Sequence, residues 1–149
     1  MQRDNVTVSE VTYQDLKEIA EIEKRLFSDA WSEKMLAEHL TYNPKSVNLK
    51  VTLDEKIVAY IFTTIMFETA NIDIVATDTG FQRQGFARLL IDELMKRTQD
   101  TNVYMLEVRE SNVPAISLYL KNGFEKIGIR KNYYTKPLEN AIIMSKKRN

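Results

Sequence analysis

A strand-like segment, a short loop, a glycine and a helix follow one another between Val75 and Arg88. The loop is QRQGFAR, residues 82–88, and its Gly85 is one of only four glycines in the 149-residue chain. The first turn of a helix leaves backbone N–H groups unpaired and carries partial positive charge, and a glycine lets an anion approach closely. The segment therefore predicts either a simple tight turn or an anion site to which nearby arginines add charge.

Two familiar phosphate-binding loops are excluded by the residues around this glycine. No Gly-Lys-Ser/Thr ending is present, as a P-loop requires, and there is no three-glycine dinucleotide fingerprint. Any anion site at this turn must belong to another class of protein.

Composition and charge narrow the classes further. Lys plus Arg and Asp plus Glu both number 21, and this balance argues against a general nucleic-acid or membrane-surface binder. The absence of cysteine excludes a disulfide framework, a zinc–thiolate site and a Cys nucleophile, and no metal is expected. The sequence shows neither a signal peptide nor an apolar run long enough to span a bilayer, so we expect a cytoplasmic protein. Lys146, Lys147 and Arg148 are expected to form a ragged charged end.

Hydrophobic periodicity predicts a mixed α/β (α+β) fold with the element order β-α-α-β-β-β-α-β-α-β-β. The helices are expected to pack on a largely antiparallel sheet, and the chain length suits a single domain. Strands are predicted near residues 5–11, 46–53, 56–68, 70–78, 102–110, 124–134 and 139–146, and helices within 13–27, 32–40, 86–97 and 112–123.

Two of the helices have informative sequences. In the helix of residues 86–97, spacing predicts that Leu89, Leu90, Leu94 and Met95 face inward. The helix of residues 112–123 has both ends marked: Asn112 at the N-cap, a proline in the first turn and Gly123 just past the end.

Longer segments of the chain resemble a known family. QRQGFAR matches the Gln/Arg-x-x-Gly-x-Gly/Ala signature of the GCN5-related N-acetyltransferases (GNAT superfamily), and the β-α-β-α order around it is similar. LEVRESNVPAISLYLKNGFEKIGIRKNYY and ENAIIM resemble the bacterial ribosomal-protein-alanine N-acetyltransferases (RimI-type), and FSDAWSE is similar to their Phe-x-x-Pro-Trp-Ser-Glu element. Ala30 departs from the usual proline, whereas Ala87 is an allowed alternative at the second signature glycine. The resemblance covers nearly the whole chain. It implies one N-acetyltransferase domain, residues 1–149, with about seven mostly antiparallel strands flanked by about four helices.

The same resemblance implies acetyl-CoA as co-substrate. The signature loop would bind its pyrophosphate through backbone N–H groups, and the preceding strand would pair its backbone with the pantetheine arm. The implied cofactor-binding residues are Val75, Ala76, Thr77, Arg83, Gln84, Gly85, Phe86, Ala87, Arg88 and Asn112. For Asn112 a simple N-cap is the alternative, and for Val75, Ala76 and Thr77 a plain core strand.

Acetyl transfer to an amine needs a base that makes the nitrogen neutral and benefits from an acid that protonates the departing thiolate. Glu107 lies inside the apolar strand YMLEVR, where a carboxylate faces solvent by alternation or lies in a cleft with a raised pKa. The resemblance implies that Glu107 is the general base and Tyr119 the general acid; for Tyr119 a core position is the alternative. It also places Trp31, Tyr133 and Tyr134 on the acceptor side. His39 receives no role.

The leading functional prediction is acetylation of the N-terminal alanine of a small-subunit ribosomal protein by direct attack in a ternary complex. An α-amine, with a pKa of about 8, requires about 3 kcal/mol less than a lysine to become neutral. Another protein N-terminus, a lysine or a small amine stays open as acceptor. A non-catalytic acyl-CoA-binding module is a further alternative, although such a module needs neither Glu107 nor Tyr119.

Overall fold

The computed structural model describes residues 5–148, which form a single seven-stranded sheet and four α-helices. The predicted element order and the mixed, mostly antiparallel sheet are confirmed. A short 3-10 helix at Tyr13–Asp15 precedes the first α-helix. The strands are β1 Val6–Glu10, β2 Leu49–Leu53, β3 Lys56–Met66, β4 Thr69–Thr77, β5 Val103–Arg109, β6 Glu125–Thr135 and β7 Leu138–Lys147; the helices are α1 Leu16–Leu26, α2 Glu33–Tyr42, α3 Phe86–Arg97 and α4 Val113–Lys121.

The strands are arranged in the order β1-β2-β3-β4-β5-β7-β6, and every neighbouring pair is antiparallel except β4 and β5. The parallel ladder runs from the Thr69–Val103 pair to the Ile72–Leu106 pair and stops there. Beyond it, residues 73–77 of β4 and 107–109 of β5 are not paired with each other. We call this opening the fork. It exposes backbone edges of two neighbouring strands in the middle of the sheet.

The core lies on both faces of the sheet. On one face, α3 and α4 pack on residues that include Tyr104, Leu106 and Val108 of β5. On the other face, α1 and α2 pack on residues that include Tyr60 and Phe62 of β3. Because side chains alternate along a strand, the residues between those buried positions of β5 point to the α1–α2 face.

A β-bulge interrupts β4 beside the fork. Phe62 pairs with Ile74 and Thr63 pairs with Ile72, so Asp73 is an extra residue in β4. Ile72 accordingly packs on the α3–α4 face, whereas Ile74 packs on the α1–α2 face. The bulge bends the strand at the point where the ladder to β5 stops.

Two sequence predictions change in detail. Leu90 and Leu94 of α3 are buried as predicted, but Phe86 and Ile91 join them, while Leu89 and Met95 are only partly buried. The buried stripe is therefore rotated about the helix from the predicted one.

The prediction of a ragged charged end is wrong. Lys146 and Lys147 belong to β7, and the Lys146 ammonium donates to the Asn122 carbonyl at 2.6 Å. The Arg148 guanidinium donates to the carbonyls of Met95 and Thr101 at 2.7 and 2.8 Å. Lys146 and Arg148 therefore bind backbone carbonyls at and just beyond the C-terminal ends of α4 and α3. Within residues 5–148, no helix is long and apolar enough to cross a membrane.

Candidate functional site

The turn before α3 presents a row of backbone donors. Gly85 is the N-cap of α3 in a left-handed conformation, with φ 85° and ψ 10°. Within residues 5–148, the backbone N–H groups of Gln84, Gly85, Ala87 and Arg88 make no hydrogen bond. A Cβ at Gly85 would meet no atom within 4 Å, so the space in front of the turn is open. The chemistry of this donor set suits an anion.

The side chains of the turn leave that space free. Arg83, itself at φ 63°, and Gln84 are exposed. Phe86 is buried in the core beneath α3, and Ala87 is half-buried. Arg88 is exposed and lies 3.7 Å from the Asp92 carboxylate, one helical turn away. The backbone therefore defines the donor set, and the arginines supply charge around it.

Val75, Ala76 and Thr77 form the β4 side of the fork. Their pairing partners are on β3 alone, namely Ile61, Tyr60 and Ala59 respectively. On the edge of β4 that faces away from β3, the Gln82 side-chain amide donates to the Thr77 carbonyl at 3.2 Å. The fork edge leads directly into the donor row at Gly85, so one extended ligand could contact both.

Glu107 is the first residue of β5 beyond the parallel ladder. Its neighbours Leu106 and Val108 are buried on the α3–α4 face, so the Glu107 carboxylate points to the α1–α2 face. The Tyr133 hydroxyl donates to Glu107 at 3.4 Å, and the Arg130 guanidinium lies 4.0 Å from the other carboxylate oxygen. The side chain is 16% exposed, which leaves the carboxylate accessible from the fork.

Tyr119 of α4 lies on the opposite side of β5 from Glu107. Its ring is buried in the α3–α4 core and contacts Phe124 with centroids 5.8 Å apart. Burial, and secondarily the nearby Tyr134, raises the pKa of Tyr119, so its hydroxyl stays protonated at neutral pH. Within the described part of the chain this hydroxyl has no hydrogen-bond partner. Glu107 and Tyr119 thus lie on opposite faces of β5.

Asn112 has the predicted capping geometry. Its side-chain oxygen accepts from the Ala115 N–H at 3.3 Å, and the residue is exposed. Within residues 5–148 the Asn112 amide nitrogen makes no hydrogen bond, so it is available for a further contact. The N-cap alternative from the sequence is therefore real, and it does not exclude a second role.

The predicted acceptor-side aromatics are divided between two locations. Tyr133 and Tyr134 of β6 contact each other with centroids 5.0 Å apart, next to Glu107. Burial raises the pKa of Tyr134 to about 12, with the neighbouring Tyr133 and Glu107 adding to the effect. Trp31 instead packs on the α1–α2 core against His39 and Phe62, with centroids 5.5 and 6.4 Å apart. Trp31 therefore supports this side of the site mainly through packing.

His39 is a structural residue, in keeping with its lack of an assigned role. It is buried, and its Nε2 lies 2.9 Å from the Thr63 carbonyl oxygen. Among residues 5–148, no group of three His, Asp or Glu side chains could hold a metal ion.

Sequence reasoning missed Glu23, a buried carboxylate of α1. Its two oxygens accept from the Trp31 N–H at 3.0 Å and from the Tyr60 hydroxyl at 2.7 Å. Burial raises the pKa of Glu23 despite these two hydrogen bonds. The signal that could have identified it is a carboxylate on the apolar face of α1.

Sequence reasoning also missed Asp73 and Arg109, which lie on either side of Glu107. Asp73, the bulged residue of β4, follows the last residue of the ladder just as Glu107 does in β5. Its carboxylate accepts from the Thr64 hydroxyl at 2.6 Å and from the Asn71 amide at 2.8 Å. No local pattern marks either residue, because a bulge and long-range contacts define their positions.

An open fork in a mixed sheet, a donor row at a glycine turn, and a carboxylate and a tyrosine on opposite faces define an acyl-transfer class of site. The sequence of residues 16–124 matches the model of the Acetyltransferase (GNAT) family. The chain belongs to this family, and the resemblance noted from its sequence is confirmed.

Curated relatives narrow the comparison. The ribosomal protein bS18-alanine N-acetyltransferase of Escherichia coli is 39% identical over 145 residues, covering 93% of this chain and 95% of the relative. The enzyme of the same name from Salmonella typhimurium is 36% identical over 143 residues, with the same coverage. The crystal structure of the ribosomal-protein-S18-alanine N-acetyltransferase from Escherichia coli superimposes with a TM-score of 0.86 at 34% identity, covering 95% of this chain and 93% of that one.

Proposed function

We propose that this chain transfers an acetyl group from acetyl-CoA to the α-amine of an N-terminal alanine, with ribosomal protein bS18 as the acceptor. The observation that carries the proposal is the fork between β4 and β5, which begins at Glu107 and leads along β4 to the Gly85 turn. The relatives named for this activity span almost the whole chain. We propose, too, that residues 1–149 form one N-acetyltransferase domain that works in the cytoplasm.

The residues of the fork fit the co-substrate. The open donor row of Gln84, Gly85, Ala87 and Arg88 suits a pyrophosphate, and the edge of residues 75–77 that is not paired with β5 suits the amide groups of a pantetheine arm. Asn112, whose amide nitrogen is free, adds a polar contact at the start of α4. Acetyl-CoA supplies an activated thioester, and the chain's own residues bind it, orient it and handle the protons.

Glu107 and Tyr119 divide the proton chemistry. The ammonium of the acceptor must lose a proton before its nitrogen attacks the thioester carbonyl, and in this proposal Glu107 accepts that proton, either directly or through water. After the attack the nitrogen loses its second proton, the C–S bond breaks and the departing thiolate takes up a proton, so that one proton is released overall. A tyrosine is protonated at neutral pH and burial raises the pKa of Tyr119 further, so in this proposal its hydroxyl carries the proton that the thiolate takes up.

The acceptor is proposed to enter between β6 and the α1–α2 loop, residues 27–32. On the β6 side Tyr133 and Tyr134 flank Glu107, and on the loop side Trp31 supports the loop. An α-amine favours this chemistry because it is about two-hundredfold more often neutral at pH 7 than a lysine. The zero net charge agrees with a protein terminus as partner, in preference to nucleic acid or a membrane surface.

The test is incubation of the chain with acetyl-CoA and a set of peptides, followed by mass spectrometry. The set contains three peptides that differ only in the first residue, which is Ala, Ser or Met. A fourth peptide has a blocked N-terminus and a free lysine. We expect acetylation of the Ala peptide at its α-amine, and a peptide with the bS18 N-terminus should be the best acceptor. Acetylation of the lysine alone would contradict the proposal, and binding of acetyl-CoA without any product would favour a non-catalytic module.

A further inference from the structure

Arg109 lies at the end of β5, two residues after Glu107, and pairs with Ala141 of β7. Since side chains alternate, Arg109 and Glu107 lie on the same face of the sheet. The Arg109 side chain is only 19% exposed, and its guanidinium stacks over the Tyr134 ring at 4.3 Å. It is therefore a neighbour of both the proposed base and the acceptor-side aromatics.

The guanidinium binds the β6–β7 turn, residues 135–138, and the start of β7. Its two terminal nitrogens donate to the Lys136 and Pro137 carbonyls, each at 3.0 Å. One of them also donates to Glu139 at 3.2 Å. Glu139 in turn accepts from the Ser111 N–H at 2.6 Å. The hydrogen bond from Ser111 has the largest effect in lowering the pKa of the Glu139 carboxyl, and Arg109 lowers it further.

The same guanidinium reaches across to the α1–α2 loop, residues 27–32. Its second terminal nitrogen lies 3.5 Å from the Asp29 carboxylate. The Ser28 hydroxyl donates to the Lys136 carbonyl, the same oxygen that Arg109 binds. The far end of the loop is fixed by the Trp31 N–H on Glu23. Arg109 thus connects the loop and the turn to β5, alongside the direct contact between Ser28 and Lys136.

We propose that Arg109 is a positioning residue for acceptor binding: it fixes the separation of the α1–α2 loop and the β6–β7 turn, the two sides between which the acceptor enters. This inference rests on the proposed function, because it concerns the acceptor side of the same site. Arginine suits the task because its planar donors serve several acceptors in fixed directions, whereas lysine is a flexible point charge. A connection of this kind sets acceptor affinity without contacting the co-substrate.

The test compares Arg109→Gln and Arg109→Lys with the wild type. The matched control is Arg97→Gln, which also removes a cation from a carboxylate, Glu93 at 3.0 Å, but on α3 away from the fork. For each protein, kcat and KM are measured with the Ala peptide, and the Kd for CoA is measured by calorimetry. Quenching of Trp31, the single tryptophan of the chain, by acrylamide reports the state of the loop without any acceptor.

We expect Arg109→Gln to raise the acceptor KM by about tenfold or more, because small displacements of binding groups have large effects on productive binding. The Kd for CoA should change less than about twofold, and Trp31 should become more accessible to acrylamide. Arg109→Lys should fall between wild type and Arg109→Gln, and Arg97→Gln should behave as wild type. An unchanged acceptor KM, or a parallel loss of acceptor and CoA binding, would overturn the proposal.

Two further measurements keep the outcome decisive. Should Arg109→Gln fail to fold, Asp29→Ala removes only the contact of Arg109 to Asp29, whose side chain is 43% exposed, and should raise the acceptor KM in the same direction, by about threefold; no increase would refute the connection. If the wild type does not acetylate the Ala peptide, the proposed function fails on its own. The Trp31 measurement and the KM for whichever amine is acetylated then decide the role of Arg109.

Discussion

Gly85→Leu tests the donor row directly, because the chain contains a matched glycine. Gly85 and Gly80 have φ values of 85° and 91°, and a Cβ at either would meet no atom within 4 Å. Leucine should therefore impose similar backbone strain at both positions, about 1–2 kcal/mol. Only at Gly85 does the new side chain enter the space in front of the N–H groups of α3.

The expected loss of ligand affinity follows from those N–H groups. If the side chain blocks two charge-assisted hydrogen bonds worth about 1.5 kcal/mol each, the total is about 3 kcal/mol. That corresponds to about a hundredfold increase in the Kd for CoA. Calorimetry at fixed ionic strength should show this increase for Gly85→Leu and not for Gly80→Leu, and pantetheine, which lacks the pyrophosphate, should bind both variants alike. Equal losses in the two variants, or an unchanged Kd, would refute the reasoning.

Three other substitutions test separate parts of the site. Glu107→Gln should retain CoA binding but lower kcat by about 10²–10⁴-fold at neutral pH, and wild-type rates would refute its role as base. Tyr119→Phe should lower kcat with little change in thermal stability, since the hydroxyl has no hydrogen-bond partner in residues 5–148; unchanged kcat would exclude it as the acid. Glu23→Gln tests the raised pKa of Glu23. Because the folded state holds this proton more tightly than the unfolded state, the wild type loses stability as pH rises through the folded pKa. The stability of Glu23→Gln relative to wild type, measured by urea unfolding, should therefore increase between pH 4 and 7, and a flat or falling difference would contradict it.

The parts of the structure that follow from local chemistry were predictable from the sequence. Asn112 and Gly123 define the ends of α4 because capping depends only on neighbouring residues. The position of Glu107 between two buried residues follows from strand alternation. The glycine turn before α3 is likewise local, and the structure adds its open space and free N–H groups.

The remainder depends on contacts between distant segments. Asp73 lies at the base of the fork only because β4 bulges at that residue and the parallel ladder ends just before it. Arg109 meets the loop and the turn through tertiary folding, and Arg148 binds carbonyls of α3 and the following loop in the same way. A charged residue in isolation predicts solvent exposure, so none of these three could be assigned from its neighbours in the sequence.

The short ladder at the base of the fork makes the sheet two panels joined by a narrow seam. Strands β1–β4 form one panel and strands β5–β7 form the other. The two panels are paired only through the parallel ladder of Thr69–Ile72 with Val103–Leu106. A co-substrate lying in the fork would contact both β4 and β5 and so add to the contacts between the two panels. Since binding to the folded state adds its free energy to folding, the cohesion of the two panels should rise with the concentration of acetyl-CoA. The free energy of unfolding of the enzyme would then depend on the concentration of its own acetyl donor.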